Sequence, residues 1–342
     1  MNDFSGSTDA IIIGSGIGGL TAAIILAKLG YGVTIVEKNR QPGGLMRSYT
    51  RNGIECPVGV HYIGSMDKGQ PLQRIFDYLD ISTGLALERM GAKGIIDHYI
   101  FDDFTFDLPE GIERYEENLR SKFYSDQEQI SSIINTLKNV ASVFYSLDFL
   151  SSSRINPANL DLFQPMGKIV SQLNCSPGLR SVLEVTSAWI GVPLNECPVF
   201  YHNTTLASYL FSSWRLNCSG SEMADLFASR FKDLGGTIIL KDAVEKILVN
   251  NRITEGVVLK SGRIINTPIV IAAIHPKVMI SMLPDEAVKP AYRKRILQLE
   301  DTESVFSAHF EVDSDGPEYI STYVAYHSTK DIPSDITGNG SN

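Results

Sequence analysis

The sequence predicts an α/β fold in which a Rossmann-like nucleotide-binding domain is interrupted by an inserted, mostly helical domain. Three observations predict it. The apolar run Ala10–Ile13 enters a glycine-rich turn, Gly14-Ser15-Gly16-Ile17-Gly18-Gly19, and a second apolar run beyond it ends on Glu37. A long stretch of helical periodicity follows, and strand-like segments return near residue 220. With 342 residues, 43% of them hydrophobic, the chain has apolar side chains for more than one core.

Taken in order, residues 10–13 read as a buried strand and 17–29 as a helix rich in Ala, Leu and Ile that Gly30 closes. Residues 33–36 give the next strand, completing a βαβ-type opening for a parallel sheet. Asn52-Gly53 sits between two short extended runs and signals a hairpin. A second hairpin is expected in "DHYIFDDFTFDLP", turning at Asp102-Asp103. From Gly111 to about Phe149 the pattern is helical, with Ile130, Ile133, Ile134, Leu137 and Phe144 recurring every three to four residues. "EMADLFASRFKDLGG" reads as a helix closed by Gly235-Gly236 and "TIILK" as a strand. Further strands then turn at Asn250-Asn251 and Ser261-Gly262. "SVFSAHFEVD" alternates as another strand would, and the polar tail "DIPSDITGNGSN" is expected to be loose.

Composition narrows the function. A formal charge of -9 and the lack of long Lys/Arg runs argue against a nucleic-acid partner, since phosphate binding needs a basic face. Cys56, Cys175, Cys197 and Cys218 are scattered with no C-x-x-C pair, which fits a reducing compartment rather than a disulfide framework or zinc site. The six histidines show no paired ligand spacing. No apolar run reaches the roughly 18 residues of a membrane span, so a cytoplasmic protein is expected.

Residues 14–19 satisfy G-x-G-x-x-G. The first glycine permits the tight strand-to-helix turn, the second lets backbone approach a pyrophosphate, and the third lets the helix pack on the strand. The helix that follows aims its N-terminal N–H groups and positive dipole end at the phosphates. Glu37, about 20 residues on, can accept from both ribose hydroxyls and disfavours a 2′-phosphate.

That motif alone does not separate NAD from FAD. Gly43-Gly44, soon after the acid, lets a second loop pass close to a large dinucleotide that stays buried. On these residues the sequence resembles a known family. "EKNRQPGGLMRSY" looks like the second fingerprint of FAD-dependent oxidoreductases of the amine-oxidase and phytoene-desaturase type. "NGIECPVGVHYIG" is similar, more narrowly, to the branch containing retinol saturase, carotenoid (prolycopene) isomerase and bacterial phytoene desaturases. Further segments follow in the family's order, and the resemblance covers most of 10–284.

The resemblance implies a Rossmann-like FAD-binding domain of the glutathione-reductase/amine-oxidase type with an inserted α+β substrate domain. Residues 1–85 and 215–285 would form the FAD domain, 86–214 the mostly helical substrate domain, and 286–342 the start of a truncated return to it. Carried over residue by residue, it implies FAD contacts at Gly14, Ser15, Gly16, Ile17, Gly18, Gly19, Glu37, Lys38, Gly43, Gly44, Leu45, Arg47, Val60, His61, Val244 and Ala272. Val244 would touch the adenine through its backbone, and residues 269–273 would close the nucleotide side. The implied activity is desaturation, saturation or isomerisation at carbon-carbon bonds of a lipophilic polyene or isoprenoid. Such a substrate would be met through peripheral contact with a membrane by helices in 111–150 and 198–214. The oligomeric state is not legible.

No residue is assigned to catalysis. His61 is placed beside the flavin by the resemblance, but a lone histidine in an apolar run is more often structural. Arg47 reads either as a pyrophosphate contact or as a cover for the hairpin. The aromatic candidates for a substrate lining, Phe144, Tyr145, Trp189, Phe200, Tyr209, Phe211 and Trp214, with Ile190, are more simply core. Three departures from the family stand out. Pro57 replaces the usual Asp, Gly220 stands where a glycine pair is usual, and the family's C-terminal FAD segment does not follow. Two rival readings remain: a NAD-dependent dehydrogenase using the first motif alone, and a non-catalytic isoprenoid-lipid binder of the Rab GDP-dissociation-inhibitor type.

Overall fold

The computed structural model describes residues 8–60, 62–91, 94–147, 162–217, 219–302, 305–310 and 323–326. They fall into two compact units. The first comprises the described residues within 1–61, 75–87 and 216–301, the second those within 62–74, 88–215 and 302–342.

The first unit is built on a four-stranded parallel sheet. Strands β1 (Ala10–Ile13) and β2 (Val33–Glu37) are joined through helix α1 (Ile17–Lys28). Far along the chain, β10 (Thr237–Leu240) pairs with β2, and β14 (Ile269–Ala272) with β1, giving the order β10-β2-β1-β14. All three pairings are parallel. β1 is buried on both faces, as a central parallel strand requires. Its alternate residues Ile11 and Ile13 join Val36 in a core with Val244, Ile247, Val257, Leu259 and Ile265. The last five belong to a three-stranded antiparallel meander, β11 (Val244–Asn250), β12 (Ile253–Leu259) and β13 (Ile264–Asn266). Helix α8 (Gly220–Asp233) packs beside α1.

Both glycine helix stops are realised in one geometry. Gly30 and Gly235 hold φ of +88° and +85°. After α1, Gly30 N–H donates to Ala27 O and Tyr31 N–H to Leu26 O; after α8, Gly235 donates to Lys232 O and Gly236 to Phe231 O. The start of α8 is closed by a reciprocal capping box. Glu222 N–H donates to Ser219 Oγ and Ser219 N–H to the Glu222 carboxylate, each at 3.2 Å. Ser219→Ala should cost roughly 1 kcal/mol in chemical denaturation, the usual worth of such a cap.

The Asn52-Gly53 hairpin joins β3 (Ser48–Arg51) to β4 (Ile54–Pro57), with φ of +53° and +82° at the two turn residues. The turn expected at Asn250-Asn251 lies one residue later, since Asn251 and Arg252 carry the positive φ values. Asn250 still pairs with Ile253 across the ladder. Helix α2 (Pro71–Tyr78) places Phe76 edge-on to Phe227 of α8, with ring centroids 5.6 Å apart. Helices α9 (Pro276–Met282) and α10 (Pro290–Leu297) extend the first unit to residue 301. Arg293 ties them, donating to the carbonyls of Ile280, Leu283 and Pro284.

The second unit packs helices against a sheet. Strands β7 (Ile95–Ile100) and β8 (Thr105–Pro109) form the second hairpin, turning at Asp102-Asp103, and β15 (Tyr323–Tyr326) adds a parallel strand beside β7. Helices α3 (Ile112–Lys122), α4 (Gln127–Ser146), α5 (Met166–Gln172), α6 (Pro177–Ile190) and α7 (Val199–Phe211) supply most of its core. Ile130, Ile133, Ile134 and Leu137 of α4 are buried there together with Tyr99, Phe106 and Leu108 of the sheet. A smaller sheet has the order β5-β9-β6, from β5 (Tyr62–Gly64), β9 (Ser213–Leu216) and β6 (Leu87–Arg89). The β5–β9 pairing draws 62–74 into this unit.

Two expectations change. Residues 305–310 of "SVFSAHFEVD" form no strand: Val305, Phe306 and Phe310 are 89%, 93% and 86% exposed, so neither side of the alternation has a surface to bury against. The block 198–214, in which a helix is expected, holds α7 only as far as Phe211, because Ser212 is extended and Trp214 lies in β9. The aromatic candidates pack among themselves: Phe144 stacks on Phe211, and Trp189 meets Tyr209 edge-on at 5.4 Å. Trp189, Phe200 and Phe211 lie against the core, which is the simpler reading of those residues. The polar tail and His61 lie outside the described residues. Among the described residues no helix is long and apolar enough to cross a membrane.

Candidate nucleotide site

The candidate site lies in the first unit, where β1 gives way to α1. Gly14 holds φ +94°, and a Cβ there would fall 2.9 Å from Ala273 O, so only glycine fits against the end of β14. A Cβ on Gly19 would lie 2.1 Å from Gly14 O and 3.2 Å from Ala273 Cβ, which is the close helix-to-strand contact that the third motif glycine permits. At Gly16 and Gly18 a Cβ would meet nothing within 4 Å. The turn is therefore packed tight on its inner side and open along its outer side. Gly16 caps α1 without a side-chain hydrogen bond, and no acidic side chain occupies the helix's first turn. The first turn of α1 thus has no side-chain cap and no acidic side chain to meet its N–H groups and the positive end of the dipole.

The second glycine pair packs on the first. Gly43 N–H donates to Ser15 O at 2.8 Å, and Gly43 bridges Gly16 in parallel fashion. A Cβ on Gly44, at φ +58°, would come within 2.9 Å of Gly16 Cα. Gly44 opens a short 3₁₀ turn through Met46. Arg47 Nε donates to Gly44 O at 2.8 Å, so in this structure its guanidinium braces the loop. Gly220 serves the same close packing from α8: a Cβ there would sit 2.4 Å from Met46 O and 3.4 Å from Val60 O. Ser48 N–H donates to Ser221 Oγ at 2.7 Å, fastening the hairpin to the same helix.

Glu37 ends β2 buried, only 5% exposed. Its Oε2 accepts from Ser15 N–H at 2.9 Å and Ser15 Oγ–H at 2.7 Å. Its Oε1 accepts from Asn39 N–H at 2.9 Å and Asn39 Nδ2 at 2.6 Å. Burial raises the pKa, but the combined hydrogen bonds from Ser15 and Asn39 outweigh it and hold the carboxyl below its ordinary value. An ionised, oriented carboxylate is what a ribose diol needs.

The other expected residues divide. Ile17 and Leu45 are 44% and 71% exposed, and Lys38 is exposed just after Glu37. Ala272 ends β14 opposite Ile13, beside the glycine turn. Val244, buried at the start of β11, follows a segment docked beside Glu37: Lys241 N–H donates to Asn39 O and Asp242 N–H to Glu37 O. Asn39 joins the site without having been singled out, while Ala273 and Gly220 were named from the resemblance but not among the FAD contacts it implies. The signal for Asn39 was local, a short polar side chain two residues after the acid; the close contacts of Ala273 and Gly220 became visible only through packing.

Comparison with known proteins points the same way. Residues 12–79 match the family described as NAD(P)-binding Rossmann-like domain. The all-trans-retinol 13,14-reductase of Danio rerio is 25% identical over 330 residues, covering 89% of this chain and 54% of that protein. A 4,4′-diapophytoene desaturase (4,4′-diapolycopene-forming) of Methylomonas sp is 22% identical over 343 residues, covering 93% and 64%. The chain is a homologue of both. The phytoene desaturase and retinol saturase-like resemblance read from the sequence stands on that homology, although the chain spans only about half the length of the first relative. Among solved structures, a putrescine oxidase variant overlays with a TM-score of 0.63 at 16% identity, covering 85% of this chain and 62% of that one. The first unit carries the expected Rossmann-like architecture, with the meander sharing a core with β1 and β2.

Proposed function

We propose that this chain is part of an FAD-dependent oxidoreductase acting on carbon-carbon bonds of a lipophilic polyene or isoprenoid. One observation carries the cofactor half of this reading. An ionised Glu37 stands at the end of β2, beside a Gly16 turn that is open on its outer face and backed by a second glycine loop. The open face accommodates a diphosphate where a Cβ would otherwise stand, and the donors at the start of α1 meet its charge. Glu37 accepts from ribose hydroxyls, and Gly43-Gly44 let the second loop pass close to a cofactor larger than a mononucleotide. When bound, FAD supplies a two-electron centre suited to hydride exchange with carbon.

The substrate half is supported by the homologues, whose names specify all-trans-retinol and 4,4′-diapophytoene. The second unit would be the part that takes the substrate. Compounds of this kind partition strongly out of water, so the protein would collect them through peripheral contact with a membrane. Cys56, Cys175 and Cys197 are free thiols, which suits a cytoplasmic setting.

The test is the visible spectrum of the purified full chain, with and without added FAD. Flavin bands that survive gel filtration are expected. Glu37→Ala should weaken FAD binding by about 10- to 100-fold, given 1.5–3 kcal/mol for a hydrogen bond to a charged group. Binding of NAD without colour would replace the reading with a dehydrogenase. Absence of affinity for any adenine-containing ligand would end it.

A further inference from the structure

In this structure the Glu37 carboxylate has no acceptor capacity to spare. A carboxylate offers about four lone-pair sites. Ser15 fills two on Oε2 and Asn39 two on Oε1, at 2.6–2.9 Å. A ribose cis-diol brings two O–H donors of its own, so it cannot simply add to this set. At least one protein donor must yield its place.

The four donors differ in their freedom to leave. The two backbone N–H groups belong to residues whose carbonyls are themselves tied down: Ser15 O accepts from Gly43 N–H at 2.8 Å, and Asn39 O accepts from Lys241 N–H at 2.9 Å. Ser15 is fully buried, and its hydroxyl, turned away from Glu37, would lose a partner out of reach of water. Asn39 is only half-buried. Its amide can turn outward and remake its hydrogen bonds with solvent at small net cost.

We infer that the Asn39 side-chain amide is a stand-in for a ribose hydroxyl: it holds Glu37 Oε1 when no ribose does, and swings out when an adenosine diphosphate moiety is seated. Ser15 is the permanent holder of Oε2. The depressed pKa of Glu37 is consistent with this division, since the carboxylate stays ionised before and after the exchange. The arrangement keeps a buried charge satisfied at every stage, and it sets affinity through competition at Oε1. Asn39 is a positioning residue, distinct from the groups that contact the diphosphate. The inference rests on the adenine-dinucleotide reading above.

Calorimetric titration of the full chain with ADP and with 2′,3′-dideoxy-ADP tests it. Removing a competitor predicts a gain: Asn39→Ala should bind ADP roughly three- to tenfold more tightly than wild type, the equivalent of one modest hydrogen bond. With the dideoxy compound, which has no hydroxyl to exchange, wild type and Asn39→Ala should bind alike. Ser15→Ala should bind ADP more weakly than wild type. A role for Asn39 as simple support predicts the opposite sign, weaker ADP binding by Asn39→Ala. That result, an unchanged affinity, or a gain shared equally by both ligands would overturn the inference while leaving the dinucleotide reading in place. Wild type that binds neither ADP nor FAD would overturn both.

Discussion

Gly19→Ala should severely destabilise the first unit, whereas Gly16→Ala should leave it folded and weaken its hold on a diphosphate. The two residues are three apart in one motif and face opposite environments. A methyl on Gly19 would stand 2.1 Å from Gly14 O and 3.1 Å from Gly14 C, which are backbone atoms at the end of β1. No rotamer relieves such a contact; α1 has to move off the sheet. Overpacking by a methylene in a well-filled core costs about 1–3 kcal/mol and occasionally more, and a clash this deep against backbone belongs at or beyond the upper end. Against a total stability of roughly 5–15 kcal/mol, the expected result is aggregated protein or a cooperative melt shifted down by more than about 10 °C.

Gly16 has φ -63° and ψ 174°, a conformation open to any residue, and its Cβ would meet nothing within 4 Å. The added methyl should therefore cost no more than about 1 kcal/mol, the difference between glycine and alanine at an N-cap. It would stand, however, in the space through which backbone N–H groups approach a pyrophosphate. ADP and FAD affinity should fall by more than about tenfold, a loss on the scale of one charge-assisted hydrogen bond. A folded Gly16→Ala protein that binds ADP as wild type does would show that the diphosphate lies elsewhere.

These two glycines also mark what could be read from the chain alone. The turn, both helix-closing glycines and the Asn52-Gly53 hairpin are legible because each depends on neighbours only a few residues away: a positive φ or a missing Cβ is stated by the residue itself. The return of β10 and β14 to the first sheet could be expected from apolar runs, but their register could not. Pairings such as Ala10 with Ile269 join residues far apart in sequence. The Ser15–Glu37 link spans 22 residues and became visible only once β1 and β2 were aligned. The segment 305–310 misled for the converse reason. Alternation describes a strand with one side to bury, and Val305, Phe306 and Phe310 are all exposed among the described residues. Asp97 was missed because "IIDHYI" reads as an ordinary strand, whose pattern does not reveal that an acid shares the buried face with Tyr99.

Asp97→Asn should stabilise the second unit at neutral pH and abolish a loss of stability that wild type suffers as pH rises. Asp97 is 2% exposed on β7, paired in register with Leu108, and its Oδ1 has no hydrogen-bond partner among the described residues. Burial pushes its carboxyl up to about 7, opposed only by a backbone hydrogen bond at His98. The folded form thus holds a proton that the unfolded chain releases near its ordinary value of 3.8. Below that value both states are protonated and the residue costs nothing through ionisation. Between about pH 4 and 7 the unfolded chain ionises alone, so stability declines steadily; above 7 the penalty is complete. A shift of this size corresponds to at most about 4 kcal/mol, at roughly 1.4 kcal/mol per pKa unit. Asparagine has the same shape and stays neutral, at the cost of an amide that needs a partner of its own, about 1 kcal/mol. The net gain at pH 7.5 should be on the order of 1–3 kcal/mol. Urea unfolding at pH 4.5 and 7.5 measures it, and the difference between variant and wild type cancels groups common to both. His202, which burial pushes down and which therefore weakens the fold on the acid side, is one of these. Equal pH dependence in the two proteins would show that Asp97 is ionised inside the fold and has found a cation or water to hold its charge.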